Sequence, residues 1–176
     1  MQTKPLIIFT IGHSTHPLDE FIEILKAYDI QEVIDIRTIP KSRHNPQFNE
    51  ATLAHALRNK HIGYHHMKDL GGLRHTTKES INTAWENASF RGFANYMQTP
   101  KFAQALEKLI EYVHKKRVVI MCGEAVPWRC HRSLIGDALL VHHIKVEDIF
   151  SKTNAKPHTL TPWAVVQGTQ VTYPKK

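Results

Sequence analysis

Four short runs of aliphatic and β-branched residues, at 6–11, 32–37, 62–67 and 117–122, are each separated from the next by at least one stretch with helical periodicity. Strands that alternate with helices at this spacing cannot pair as hairpins. They require crossover connections, and therefore a mainly parallel sheet covered by helices on both faces. The first helical stretch follows Pro17 and repeats Leu18, Phe21, Ile22, Leu25 and Tyr28 at i, i+3, i+4 and i+7. A second starts after Asn49, a plain N-cap residue, and carries Leu53, Ala54 and Leu57. Trp85 and residues 90–97 predict short helical pieces. Thr99-Pro100 is a cap and first-position pair that opens a long helix with Phe102, Leu106, Leu109, Ile110 and Val113 on one face. Basic residues at 114–117 close that helix, as its dipole favours. A helix over 129–141, a weaker strand near 146–150 and a small β piece at 164–166 and 171–173 complete the pattern.

The expected architecture is one α/β domain over 1–176: a three-layer core over 1–150 and a short irregular C-terminal extension over 151–176. A chain of 176 residues buries roughly 70% of its unfolded surface and needs no disulfide or metal to fold. The two cysteines read as reduced thiols of a cytoplasmic protein, and no run is long enough to span a membrane. Lys and Arg outnumber Asp and Glu, 23 to 16, for a net charge of +7, with 13 His as latent positive charge. Such a surface attracts polyanions, so the expected partner is a phosphate-bearing ligand, with nucleic acid first.

In open parallel sheets, ligands bind outside the carboxyl ends of the strands. That rule turns the strand pattern into a list of site residues. His13 follows the first strand, Asp35 and Arg37 end the second, and Cys122 and Glu124 end the fourth, with Arg129, His131 and Arg132 beyond.

The same residues carry a resemblance. I-G-H-S-T at 11–15, D-I-R-T-I-P-K-S-R-H-N-P-Q-F at 35–48, L-G-G at 70–72, F-R-G-F-A-N-Y-M at 90–97 and M-C-G-E-A-V-P-W-R-C-H-R at 121–132 resemble the family called domain of unknown function 488. The likeness runs on to P-H-T-L-T-P-W at 157–163 and so covers nearly the whole chain. Gly123 stands where members of the family more often carry Ala. The resemblance strengthens the site list and implies no reaction.

Cys122 at a strand end, followed by a loop and an Arg at a helix start, suggests the thiolate–phosphate loop of cysteine phosphatases, in which backbone N–H groups and the helix dipole hold the anion. Six residues separate Cys122 from Arg129, one more than in that loop, and Pro127 removes an N–H from the cradle. Cys122 is therefore either a nucleophile or a core residue. Arg129, His131 and Arg132 at a helix start oppose the dipole and call for an anion, either Glu124 internally or a bound phosphate. Glu124 is the first acid–base residue expected, with His13 as its alternate and Asp35 beside them. Residues 38–48 carry Lys41, Arg43, His44 and Asn45 between prolines, a basic arm able to grip phosphate, with Phe48 or Trp128 for base stacking.

No metal site is expected: His65-His66 and His142-His143 are adjacent pairs that point to different faces, and Cys122, Cys130 and His131 lack zinc spacing. With neither a P-loop nor a G-x-G-x-x-G motif, no cofactor is expected. The leading function is an enzyme acting on a phosphate-containing substrate, nucleic acid or a nucleotide. Catalysis would rest on Glu124, His13, Asp35 and Cys122, and phosphate binding on Arg37, Arg43, Arg129, His131 and Arg132. The alternatives are a non-catalytic nucleic-acid or nucleotide-binding module, and cysteine chemistry at Cys122.

Overall fold

The computed structural model describes residues 6–74 and 80–175. The elements follow the order β1 (Ile7–Gly12), α1 (Leu18–Ala27), β2 (Glu32–Asp35), α2 (Glu50–Asn59), β3 (Gly63–His66), α3 (Ala88–Tyr96), α4 (Pro100–Lys115), β4 (Val118–Cys122), α5 (Arg132–Leu140) and β5 (Lys145–Ser151). Three short strands close the chain: β6 (Asn154–Pro157), β7 (Val165–Gln167) and β8 (Gln170–Thr172). The main sheet has the order β3-β2-β4-β1-β5-β6, with every pairing parallel except β5 with β6. The fold is thus a mainly parallel α/β sheet flanked by five helices in a single domain.

Side chains alternate across the strands and divide the core in two. Val118, Ile120 and Cys122 of β4 pack with Phe93, Phe102, Leu106, Leu134 and Leu139 of α3, α4 and α5. Val119 and Met121 pack on the other face with Phe21 and Leu25 of α1 and Leu53 and Leu57 of α2. Both faces are covered, which is why β4 is apolar at every position.

The connections explain where a crevice forms. β1 leaves toward α1 on one face, whereas its neighbour β4 leaves toward α5 on the other. The chain thus leaves these two neighbours on opposite faces, the topological switch point of doubly wound sheets.

Local signals act largely as expected. Thr99 caps α4 by accepting from Phe102 N. Asn87 caps α3 by accepting from Ser89 N and Phe90 N, while Trp85 lies before that helix in irregular chain. Asn49 precedes α2, but its side chain accepts from Ser42 N instead of capping.

Two boundaries differ from the sequence pattern. The helix expected from 129 starts at Arg132, because Pro127 opens a separate 3-10 turn, Pro127–Arg129, and Cys130 is extended. After residue 150 the small β piece expected at 164–166 and 171–173 forms, and the chain adds one strand that the pattern did not give. β6 lengthens the main sheet, β7 and β8 form a hairpin, and Val171 and Tyr173 are buried against the α3–α5 side of the core. Among the described residues no helix is long and apolar enough to cross a membrane.

Candidate functional site

At the end of β1, Gly12 lets the β4 loop cross closely overhead: a Cβ there would overlap the Glu124 carbonyl. The ladder continues past the strands, with His13 N donating to Cys122 O at 2.8 Å and Ser14 N to Gly123 O at 3.1 Å. His13 is buried, stacked on Phe48 at 4.3 Å, and its Nδ1 lies 2.8 Å from Ser14 O. A carbonyl can only accept, so Nδ1 carries the proton and Nε2 is a bare acceptor 3.4 Å from Arg37 Nη1. Burial holds the His13 pKa below its ordinary 6.5, so the ring is neutral at neutral pH.

Beside it, β2 ends in a buried ion pair. Asp35 accepts from Arg37 Nε at 2.9 Å and Nη2 at 2.7 Å, from Arg37 N at 3.1 Å and from Tyr64 OH at 2.6 Å. Arg37 Nη2 also donates to Phe48 O at 2.7 Å. Burial works against the guanidinium charge, but Asp35 outweighs it and raises the Arg37 pKa. Burial and Asp35 likewise push the Tyr64 hydroxyl well above its usual range. Asp35 was expected among the catalytic groups. Its oxygens are instead taken up in fixing Arg37, and the side chain is fully buried.

The third strand end is built around Arg132, which is also fully buried. Its Nη1 donates to Cys122 Sγ at 3.1 Å and to Glu124 O at 2.8 Å, and its Nη2 to Ala125 O at 3.1 Å. Arg132, expected as a phosphate ligand, is here engaged by the loop itself: the loop turns carbonyls toward it, and the guanidinium staples that loop. Glu124 meets Arg132 through its backbone carbonyl, and its side chain is exposed. His131, expected beside Arg132, is also engaged internally: its Nε2 lies 3.0 Å from Ile36 O and 2.9 Å from Leu70 O, and burial lowers its pKa to about 4.

These strand ends floor an open cleft of about 380 Å³, lined by Arg37, Thr38, Gly72, Cys122, Gly123, Glu124, Arg129, Cys130 and His131. Ile39 and Leu73 also line it while largely exposed, and exposed Trp128 stands next to Arg129 in sequence. His13, Asp35 and Arg132 are buried and are not among the residues that line it. Arg129 is exposed at the cleft, whereas Arg43 is exposed but not among the lining residues. Among the described residues no group of three or more His, Cys, Asp or Glu is placed to hold a metal.

Sequence reasoning missed Tyr64 and Cys130 as neighbours of this site. Tyr64 reaches Asp35 only because β3 pairs with β2. Cys130 sits against Cys122 only because the chain is extended before α5.

A mainly parallel α/β sheet with a cleft at the carboxyl ends of β2 and β4 defines the class of protein. Within that class the chain belongs to the family described as Domain of unknown function DUF488, whose model matches residues 17–139, more than half of its length. No curated protein and no solved structure matches it.

Proposed function

We propose that this protein is an enzyme acting on a phosphate-containing substrate, a nucleotide or nucleic acid, with His13 as its general base. The observation that carries this is the bare Nε2 of a neutral, buried histidine 3.4 Å from a guanidinium that a carboxylate holds in place. A base at neutral pH next to a fixed positive charge suits proton removal from a hydroxyl or water while negative charge develops beside it. Gly123, which lines the cleft, is the ring's neighbour on that side: a Cβ there would stand 3.4 Å from Nε2. Arg129 supplies a cation for phosphate at the cleft, and Glu124 a solvent-facing carboxylate able to return a proton. Apolar Ile39 and Leu73 give a base or sugar a surface to lie on.

The test is a screen of purified protein against p-nitrophenyl phosphate mono- and diesters, nucleotides, and DNA and RNA oligonucleotides, with His13→Asn and Glu124→Gln as variants. Turnover of one class should fall about 10²–10⁴-fold in His13→Asn while affinity changes little. Retained binding without turnover of any class would instead identify a binding module, and turnover indifferent to His13 would remove the mechanism.

A further inference from the structure

Cys122 and Cys130 are the chain's only cysteines, both free, and the reaction proposed above uses neither. Both line the cleft although both are nearly buried. Three contacts make them an organised pair. Arg132 Nη1 lies 3.1 Å from Cys122 Sγ, a cation placed for a thiolate. Cys130 is the neighbour of Cys122, and Arg132 N donates to Cys130 Sγ at 3.4 Å. His131 Nδ1 lies 3.5 Å from Cys130 Sγ. Because His131 Nε2 faces two carbonyls and must carry the ring proton, Nδ1 is a free acceptor for the Cys130 thiol proton.

We propose that Cys122 and Cys130 form a reversible dithiol–disulfide site that reacts with hydrogen peroxide, Cys122 attacking and Cys130 resolving.

The asymmetry of the pair supports these roles. Burial opposes the Cys122 thiolate, but the Cys130 hydrogen bond and Arg132 charge outweigh it and lower its pKa. Burial and the neighbouring Cys122 push Cys130 well above the ordinary value. In the first step the Cys122 thiolate attacks one peroxide oxygen. An S–O bond forms, the O–O bond breaks, and the departing hydroxide takes a proton from solvent to leave as water. In the second, the Cys130 sulfur attacks the Cys122 sulfur. The S–S bond forms, the S–O bond breaks, and the departing hydroxide takes the Cys130 thiol proton to leave as a second water. Two thiols lose two electrons and one peroxide becomes two waters. The disulfide removes the thiolate from Arg132, leaving that buried guanidinium only the Glu124 and Ala125 carbonyls among these partners.

The experiment is intact-mass analysis of the wild-type protein after one equivalent of hydrogen peroxide, with thiol counting under denaturing conditions. The expected result is loss of two hydrogens, no alkylatable thiol, no covalent dimer, and full reversal by dithiothreitol. In Cys130→Ser the same treatment should leave a dimedone adduct on Cys122, formed at least about tenfold faster than on free cysteine. Unchanged mass in the wild type, or intermolecular dimers alone, would overturn the proposal whether or not the variant folds. A dimedone adduct confined to Cys130 in Cys122→Ser, formed as fast as wild-type oxidation, would reverse the roles and overturn it as stated. No substrate enters these measurements, so their failure is separable from failure of the enzymatic reading.

Discussion

His158 Nε2 lies 3.0 Å from Asp137 Oδ1, joining the segment after β6 to the middle of α5. The other ring nitrogen lies 3.3 Å from Asp148 Oδ2 on β5. Thr10 Oγ1 and Tyr173 OH occupy the remaining carboxyl oxygens at 2.5 and 2.7 Å. Burial opposes the imidazolium, but hydrogen bonds and charge from the two aspartates outweigh it and carry the His158 pKa up to about 9.

This fixes a pH dependence and its sign. The folded pKa is raised above the unfolded value near 6.5, so the stabilisation is fully present below about pH 6.5 and is lost as pH rises through about 9. The span corresponds to about 3 kcal/mol. Urea midpoints between pH 6 and 10 should fall in the wild type and stay flatter in His158→Gln, which should also be less stable at pH 6.

Asp35→Asn should cost about 3–5 kcal/mol, because Arg37 would remain buried without its counter-charge. Tyr64→Phe removes one hydrogen bond to the same carboxylate and should cost about 1–2 kcal/mol. Chemical unfolding of both variants gives the comparison, and a cost for Asp35→Asn no larger than for Tyr64→Phe would contradict the anchoring role.

Gly12→Ala should destabilise the protein by more than about 3 kcal/mol, since the new methyl would occupy the Glu124 carbonyl and press on Arg132. Gly123→Ala meets only the His13 ring, at 3.4 Å from Nε2 and 3.8 Å from Cε1, and should leave the melting temperature within a few degrees of wild type. Differential scanning calorimetry separates the two.

If the ligand is a nucleic acid, the exposed Arg129 should contribute to its salt dependence. Arg129→Ala should reduce the log–log slope of affinity against salt by about one unit. Lys115→Ala, at the end of α4, should leave it unchanged. Fluorescence anisotropy over a salt series measures both, and equal slopes would assign the attraction to general basicity.

Strands and helices were legible where hydrophobic period decided them: β1, β2 and β4, and the stripes of α1, α2 and α4. β6 was not, because Asn154–Pro157 has no apolar run and becomes a strand by backbone pairing with the open edge of β5. The strand-end rule pointed to His13, Arg37, Cys122 and Glu124 together. It could not tell which way the charges face. Arg37 turns to Asp35, and Arg132 to Cys122 and two carbonyls, for reasons that depend on β4 lying next to β1 and on how the following loop folds back. A run of cations in sequence looks the same whether it greets solvent or is spent internally.

The position of β4 between β1 and β2 also bears on how the protein is made. Both neighbours emerge from the ribosome long before Val118, and neither pairs with the other in the finished sheet. A nascent chain that has reached only α4 therefore holds two apolar strands with an unfilled slot between them. Closure must await a segment some eighty residues later, so contacts of high sequence separation govern the rate. During that interval the open edges are exposed to neighbouring chains, and synthesis at low temperature or with a chaperone that shields strand edges should raise the soluble yield.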